Sequence, residues 1–283
     1  AAIVSTMDKV SYSSDTTAAV PGAVLSVARY KLAATGNSIA GYFGGGFPLL
    51  STMDKVTYST DTRSTVATAA LSVARGDLAA TGNSTAGYFG GGFPSRSTMD
   101  KVSYASDTTV AVPGAALSGV RRLLAATGNS TSGYFGGGDG PGSRSTMDKV
   151  TYSSDTTAQV PGASLSVARN ELAATGNSAA GYFGGGAPGP VFYSTMDKVT
   201  YSSDTIAAVP GANLSSARNG VAATGNSTAG YFGSSTTMDK VTYSTDTTAA
   251  TPGASLSVDR QGLAASSSTA NAVRGTVPQV SIV

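Results

Sequence analysis

Three charged positions recur along this sequence. The first is an Asp-Lys pair (Asp8-Lys9, Asp54-Lys55, Asp100-Lys101, Asp148-Lys149, Asp197-Lys198, Asp239-Lys240). The second is an Asp followed by Thr (Asp15, Asp61, Asp107, Asp155, Asp204, Asp246), and the third is an Arg (Arg29, Arg75, Arg121 or Arg122, Arg169, Arg218, Arg260). Rings of Asp or Arg about an axis would bind cations or anionic sugars. The same residues would equally serve as joints, with each Asp taking turn hydrogen bonds or pairing with Arg or Lys of its own or the next unit. Six equivalent copies favour the joint, because a site is built once and a joint is needed in every unit. Arg29, Arg75, Arg169, Arg218, Arg260, Asp54, Asp148 and Asp197 are accordingly read as structural.

Composition removes several chemistries. The chain has no His, no Cys and no Trp. A Ser-His-Asp device is impossible, and so are a disulfide framework and a thiolate metal site. Gly44-Gly45-Gly46 is followed by no Lys-Ser/Thr, so it is no phosphate loop. The Ser13–Thr17 and Ser153–Thr157 turns faintly match a sialidase Asp-box but lack its Gly and Trp. Fifteen Asp and one Glu leave a glycosidase carboxylate pair open, yet nothing singles out a pair. Net charge is +2 with 12% charged residues and no basic cluster, which argues against a nucleic-acid partner. No apolar run approaches the roughly 20 residues of a membrane span. No charged n-region with an apolar h-region opens the chain. The start at Ala1 suits a processed product or a fragment. No cofactor or metal is expected.

These charges are positioned by a repeat. Met-Asp-Lys-Val recurs at Met7, Met53, Met99, Met147, Met196 and Met238, in steps of 46, 46, 48, 49 and 42 residues. Each unit divides into four short segments: Leu-Ala-Ala-Thr-Gly-Asn, Gly-Tyr-Phe-Gly-Gly-Gly, Met-Asp-Lys-Val-Thr/Ser-Tyr, and a Thr-Ala-Ala-Val-Pro-Gly-Ala stretch running on to Leu-Ser-Val-Ala-Arg. In Asp197-Lys198-Val199-Thr200-Tyr201, Asp, Val and Tyr share one face, the signature of a half-buried strand. Gly-Asn after the first segment predicts a hairpin with the second. Gly, Pro and β-branched residues predict no helix anywhere. Four strands per unit at this period predict an all-β, six-bladed β-propeller of four-stranded antiparallel blades, one domain over residues 1–283. Small Leu-Ala-Ala-Thr segments suit the crowded axis, and the Gly triplet suits close backbone approach. The chain begins at a third segment and ends after degenerate first and second ones (260–265 and 272–277). The expectation is therefore a last blade shared by both termini and a ring closed by pairing of N- and C-terminal strands.

Arg, a small-residue strand, an aromatic-Gly-Gly strand and a Val-x-Tyr strand, in that order, resemble the kelch repeat. The resemblance covers nearly the whole chain. The kelch Trp is absent, with Val20-Pro21, Val112-Pro113, Val160-Pro161 and Val209-Pro210 in its region. The sixth copy lacks Tyr-Phe-Gly-Gly-Gly. Kelch propellers include radical copper oxidases, whose His ligands and Tyr-linked Cys this chain does not have. The near-identical Ser/Thr/Gly-rich copies also resemble repeat proteins of bacteriophage virions and appendages.

The copies differ in two places. The connection between second and third segments changes in every unit and carries Leu49, Leu50, Arg96, Asp139, Arg144, Val191, Phe192 and Tyr193. Loops on a rigid ring are where binding is usually placed, so these are the candidate binding residues, with folding back over the core as the alternative. The second variable place follows each Arg (Tyr30-Lys31, Gly76-Asp77, Arg122-Leu123, Asn170-Glu171, Asn219-Gly220, Gln261-Gly262). Its changes of charge predict exposure. The leading expectation is a non-catalytic structural or interaction module on an extracellular or virion surface, meeting a protein or glycan surface partner. A lectin-like propeller with repeated glycan pockets is the second reading, and a carbohydrate-active enzyme the third.

Overall fold

The computed structural model describes residues 3–257, 259, 262–267 and, as backbone, 280–282. One unit shows how the sequence becomes a blade. Its inner strand Ala173–Gly176, second strand Ala180–Gly184, third strand Met196–Thr200 and outer strand Thr205–Ala208 pair antiparallel in sequence order. The first turn is set by Asn177, whose Oδ1 accepts the backbone N–H groups of Ala179 and Ala180 at 2.9 and 3.0 Å. This is an Asx turn, and it fixes the hairpin register. In the third strand Asp197 and Val199 are buried while Lys198 and Thr200 are half-buried, as the alternation requires.

The expected absence of helix needs one correction. Pro210–Ala212 forms a single 3-10 turn after the outer strand, and the same turn follows the other outer strands. Proline at the first position already has the φ such a turn needs, and the turn drives Ala212 into complete burial.

Five four-stranded sheets of this kind are built from consecutive chain, within residues 33–65, 79–111, 125–159, 173–208 and 222–250. A further four-stranded sheet draws on both ends, in the order Thr16–Ala19, Asp8–Ser11, Val280–Ile282, Ala265–Ser267. Its register sets Asp8 opposite Ile282 and Val10 opposite Val280. The strand expected over 272–277 lies outside the described residues, as does Arg260; the pairing strand is Val280–Ile282.

The inner strands stand side by side around a common axis, each touching the inner strands of the units before and after it. Ala-Ala-Thr-Gly suits this crowding: in Ala173–Gly176 three of the four residues are buried. Between sheets the core is made by Tyr and Phe from opposite faces of the second strand of each of the five sheets built from consecutive chain. Tyr182 packs with Phe232 and Tyr243 of the following unit, and Phe183 with Tyr134 and Met147 of the preceding one. The Tyr182 and Tyr243 rings stack at 4.9 Å, adding roughly 0.5–1.5 kcal/mol to their area burial.

Candidate functional site: the loop face and the axial mouth

The repeated charges are paired within the framework. Arg29 meets Asp54 at 3.0 Å, Arg75 meets Asp100 at 3.0 Å, Arg121 meets Asp148 at 2.5 Å and Arg169 meets Asp197 at 2.9 Å, all in fully buried surroundings. Arg218 meets Asp239 in the same way. Each carboxylate also accepts a backbone N–H from the crossing that leads into its blade, as Asp148 does from Ser118 and Asp197 from Ser166. The pair thus pins the crossing to the third strand. In the sheet drawn from both chain ends, Asp8 accepts the N–H and hydroxyl of Ser257. Sequence alone left Arg121 and Arg122 interchangeable. Arg121 is the buried partner, whereas Arg122 reaches Asp139 at 3.2 Å.

The Asp-Thr residues close a second set of joints, between neighbouring sheets. Lys55 holds Asp107, Lys101 holds Asp155, Lys149 holds Asp204, Lys198 holds Asp246 and Lys240 holds Asp15, at 2.7–2.9 Å. Tyr42, Tyr88, Tyr134, Tyr182 and Tyr231 donate their hydroxyls to the same carboxylates. Lys9 holds Asp61 at 2.7 Å. The residue opposite Lys9 is Ser281, where Tyr182 stands opposite Lys198.

Partial burial alone would raise these five tyrosine-bonded carboxylates. The lysine and tyrosine hydrogen bonds outweigh it and hold them below the ordinary value of 3.8. A carboxylate depressed in the folded chain contributes stability above its unfolded pKa, and that stability is lost as pH falls through the folded value. The melting temperature is therefore expected to stay level from neutral pH down to about 5 and to fall steeply below about 4. The Lys198→Met variant is expected to show a shallower acid fall. A wild-type melting temperature unchanged at about pH 2.5 would contradict the clasp.

All eight candidate binding residues lie on connections that emerge on one face. Val191 and Phe192 are 57% and 47% exposed and Leu49 is 40% exposed. Leu50, Arg96, Asp139, Arg144 and Tyr193 are half-buried. The crossings that carry each Arg run over the same face, tied to those connections by backbone bonds such as Arg75 N–H to Leu50 O and Arg218 N–H to Tyr193 O. Among the described residues, nine of the eleven exposed large apolar side chains sit on these connections and crossings; Ile39 and Val110 are the other two. An aromatic arc crosses this face. Tyr30 lies 5.5 Å from Phe47, Phe47 lies 5.8 Å from Phe93, and the Arg122 guanidinium lies 5.4 Å from the Phe93 ring.

The solved structure of YjhT superimposes on this chain with a TM-score of 0.71, covering 87% of this chain and 89% of that one at 12% identity. The chain is a β-propeller. At that identity the likeness carries the fold alone. No family model and no curated protein matches the sequence.

The positions after each Arg were expected to be exposed; Tyr30 is, at 37%, and the expectation is corrected at the others that the structure describes. Asp77 is only 6% exposed, and Lys31, Leu123 and Glu171 are half-buried. Here the propeller chain turns down into its inner strand. Lys31, Asp77, Leu123 and Glu171 take φ of 55–56°, with Gly220 and Gly262 at 60° and 66°. Their backbones form a chain of hydrogen bonds about the axis: Lys31 N–H to Gly262 O, Asp77 N–H to Lys31 O, Leu123 N–H to Asp77 O and Glu171 N–H to Leu123 O. Below them Leu32, Leu78, Leu124, Leu172, Val221 and Leu263 floor a cavity of about 90 Å³. Lys31 Nζ lies 3.2 Å from Asp77 Oδ1 and 3.4 Å from Glu171 Oε1, and Asn219 donates to Glu171 Oε2. The signal in the sequence was real: in an otherwise uniform repeat, this position alternates between cation, anion, leucine and glycine.

Once the joints are subtracted, the acidic residues left are Asp77, Asp139, Glu171 and Asp259. Among the described residues no group of three or more His, Asp or Glu converges on a metal-sized site, and no helix is long and apolar enough to cross a membrane.

Proposed function

We propose that this propeller is a non-catalytic binding module whose loop face meets a protein or glycan partner on an extracellular or virion surface. The observation that carries the reading is the segregation of exposed apolar side chains to that face, since contiguous apolar surface marks interaction sites. The framework we propose is a closed, kelch-like ring of six blades, the sheet drawn from both chain ends being the sixth. Its support is the register of Asp8–Ser11 with Val280–Ile282, the inner strand Ala265–Ser267 lying between Ala222–Gly225 and Ala33–Gly36, and the Lys240–Asp15 joint. The non-catalytic reading is supported by the commitment of carboxylates: Asp77 and Glu171 share Lys31, and Asp139 holds Arg122.

A glycan partner would meet the Tyr30–Phe47–Phe93 arc. Pockets between blades offer it less, because Asn177 is engaged in its own turn and Asp246 in its joint. The test pairs Leu49→Asp/Phe192→Asp with the control Ile39→Asp/Val110→Asp, read on a glycan array and by retention on the source's cells or particles. The loop-face pair is expected to weaken binding by about tenfold or more, as loss of apolar anchors does, with the control unchanged. Equal loss in both pairs, or full retention by the loop-face pair, would defeat the proposal.

A further inference from the structure

The axial mouth has a ligand-like group already seated in it. The Lys31 ammonium spans the mouth, with Asp77 of the next unit on one side and Glu171, three units round, on the other. Two carboxylates therefore line the cavity against one cation. Arg122 does not restore the balance: it stands 4.0 Å from Asp77 Oδ2 and is committed to Asp139 at 3.2 Å. The Asp77 side chain is 3% exposed, and the Lys31 ammonium beside its Oδ1, at 3.2 Å, is off the geometry of a well-aligned hydrogen bond. A buried carboxylate whose donor is poorly aligned is costly to keep and gains from a better-placed one.

The rest of the cavity is apolar. Six aliphatic side chains form its floor, while Gly220 and Gly262 leave two of the six rim positions without a side chain. About 90 Å³ is smaller than the roughly 150 Å³ that takes a benzene ring, so the space suits a short alkyl stem and not a sugar. Lys31 is itself 30% exposed, and a lysine stem is flexible enough to swing aside.

We propose that the axial mouth is a binding site for a primary alkylammonium group, seated by Lys31 in the free chain and offered to a lysine side chain of the partner. The alkyl stem would lie on the leucine floor and the ammonium would donate to Asp77 Oδ1 and Glu171. This identification deepens the loop-face reading and rests on it, but the site itself can be probed without any partner.

The probe is n-butylammonium chloride, with tetramethylammonium chloride at equal ionic strength as the control, added to the full chain. Lys31→Ala is expected to lower the melting temperature, and n-butylammonium to restore it saturably in the millimolar range, while tetramethylammonium does not. Adding Glu171→Gln to Lys31→Ala is expected to abolish the rescue. Should Lys31→Ala not fold, the unmodified chain decides. In amide NMR spectra, n-butylammonium is expected to shift signals of Lys31, Asp77 and Glu171 and to leave the opposite hairpins at Asn37 and Asn177 unmoved. Identical responses to the two ammonium salts, or shifts spread over the whole surface, would overturn the proposal. Either result leaves the array and retention test of the loop face standing, so the two readings fail separately.

Discussion

Asp148→Ala is expected to destabilise the chain by about 3–5 kcal/mol, the cost of leaving a buried charge without its partner. Arg121 is 1% exposed in its side chain and sits against Asp148 at 2.5 Å. Its remaining acceptors are neutral: the Phe135, Gly137 and Thr146 carbonyls and the Thr146 hydroxyl. The guanidinium cannot shed its proton to escape, so removal of the carboxylate leaves a cation in an apolar interior. The N–H of Ser118 loses its acceptor in the same step. Burial already pulls the Arg121 pKa below its ordinary value, and Asp148 is the main opposing influence. Urea unfolding of the two chains measures the loss. Arg121→Met/Asp148→Leu is expected to recover most of it, since apolar replacement of both partners is often neutral. A single variant within about 1 kcal/mol of wild type would show that the ion pair does not hold the crossing.

Gly185→Val is expected to cost about 2 kcal/mol or more, by two routes that add. Gly185 has φ of +69°, where a β-branched residue is strained. A Cβ there would stand 2.9 Å from the Arg218 carbonyl oxygen and 3.0 Å from Val221 Cγ2. The carbonyl is backbone and accepts the Gly186 N–H, so it cannot yield without breaking the contact between neighbouring units. Gly119→Ala is the control: nothing stands within 4 Å of its would-be Cβ, and a change within about 0.5 kcal/mol is expected. Thermal unfolding of the two variants side by side tests the crowding directly. Equal melting temperatures would remove the steric account of the glycine triplet.

The sequence and the structure agree where local chemistry decides. Asn177 announces its hairpin, Asp197-Lys198-Val199 announces a strand with a buried acid, and Tyr182-Phe183 announces two packing faces. Disagreement begins where position around the axis decides. Nothing local separates Arg121 from Arg122, and only the docking of the crossing buries one of them. Changes of charge at Lys31, Asp77 and Glu171 looked like solvent exposure. They are instead the unlike rim of one mouth, with Gly220 and Gly262 at the equivalent positions as the overlooked hint of left-handed backbone. The strand Val280–Ile282 carries none of the aromatic-glycine signature of the other second strands. It pairs with Asp8–Ser11 through main-chain groups that any sequence supplies, so the repeat pattern gives no sign of it.

The pairing of Asp8–Ser11 with Val280–Ile282 has a consequence for biosynthesis. On the ribosome, five sheets can assemble in order as their residues emerge, but in the closed ring proposed above Asp8–Ser11 must wait for Val280–Ile282. Throughout that interval one side of Asp8–Ser11 presents unsatisfied N–H and C=O groups, a template for joining another nascent copy. Polysomes crowded with this message are therefore where misassembly between neighbours is expected, and slow release from the tunnel would prolong the hazard.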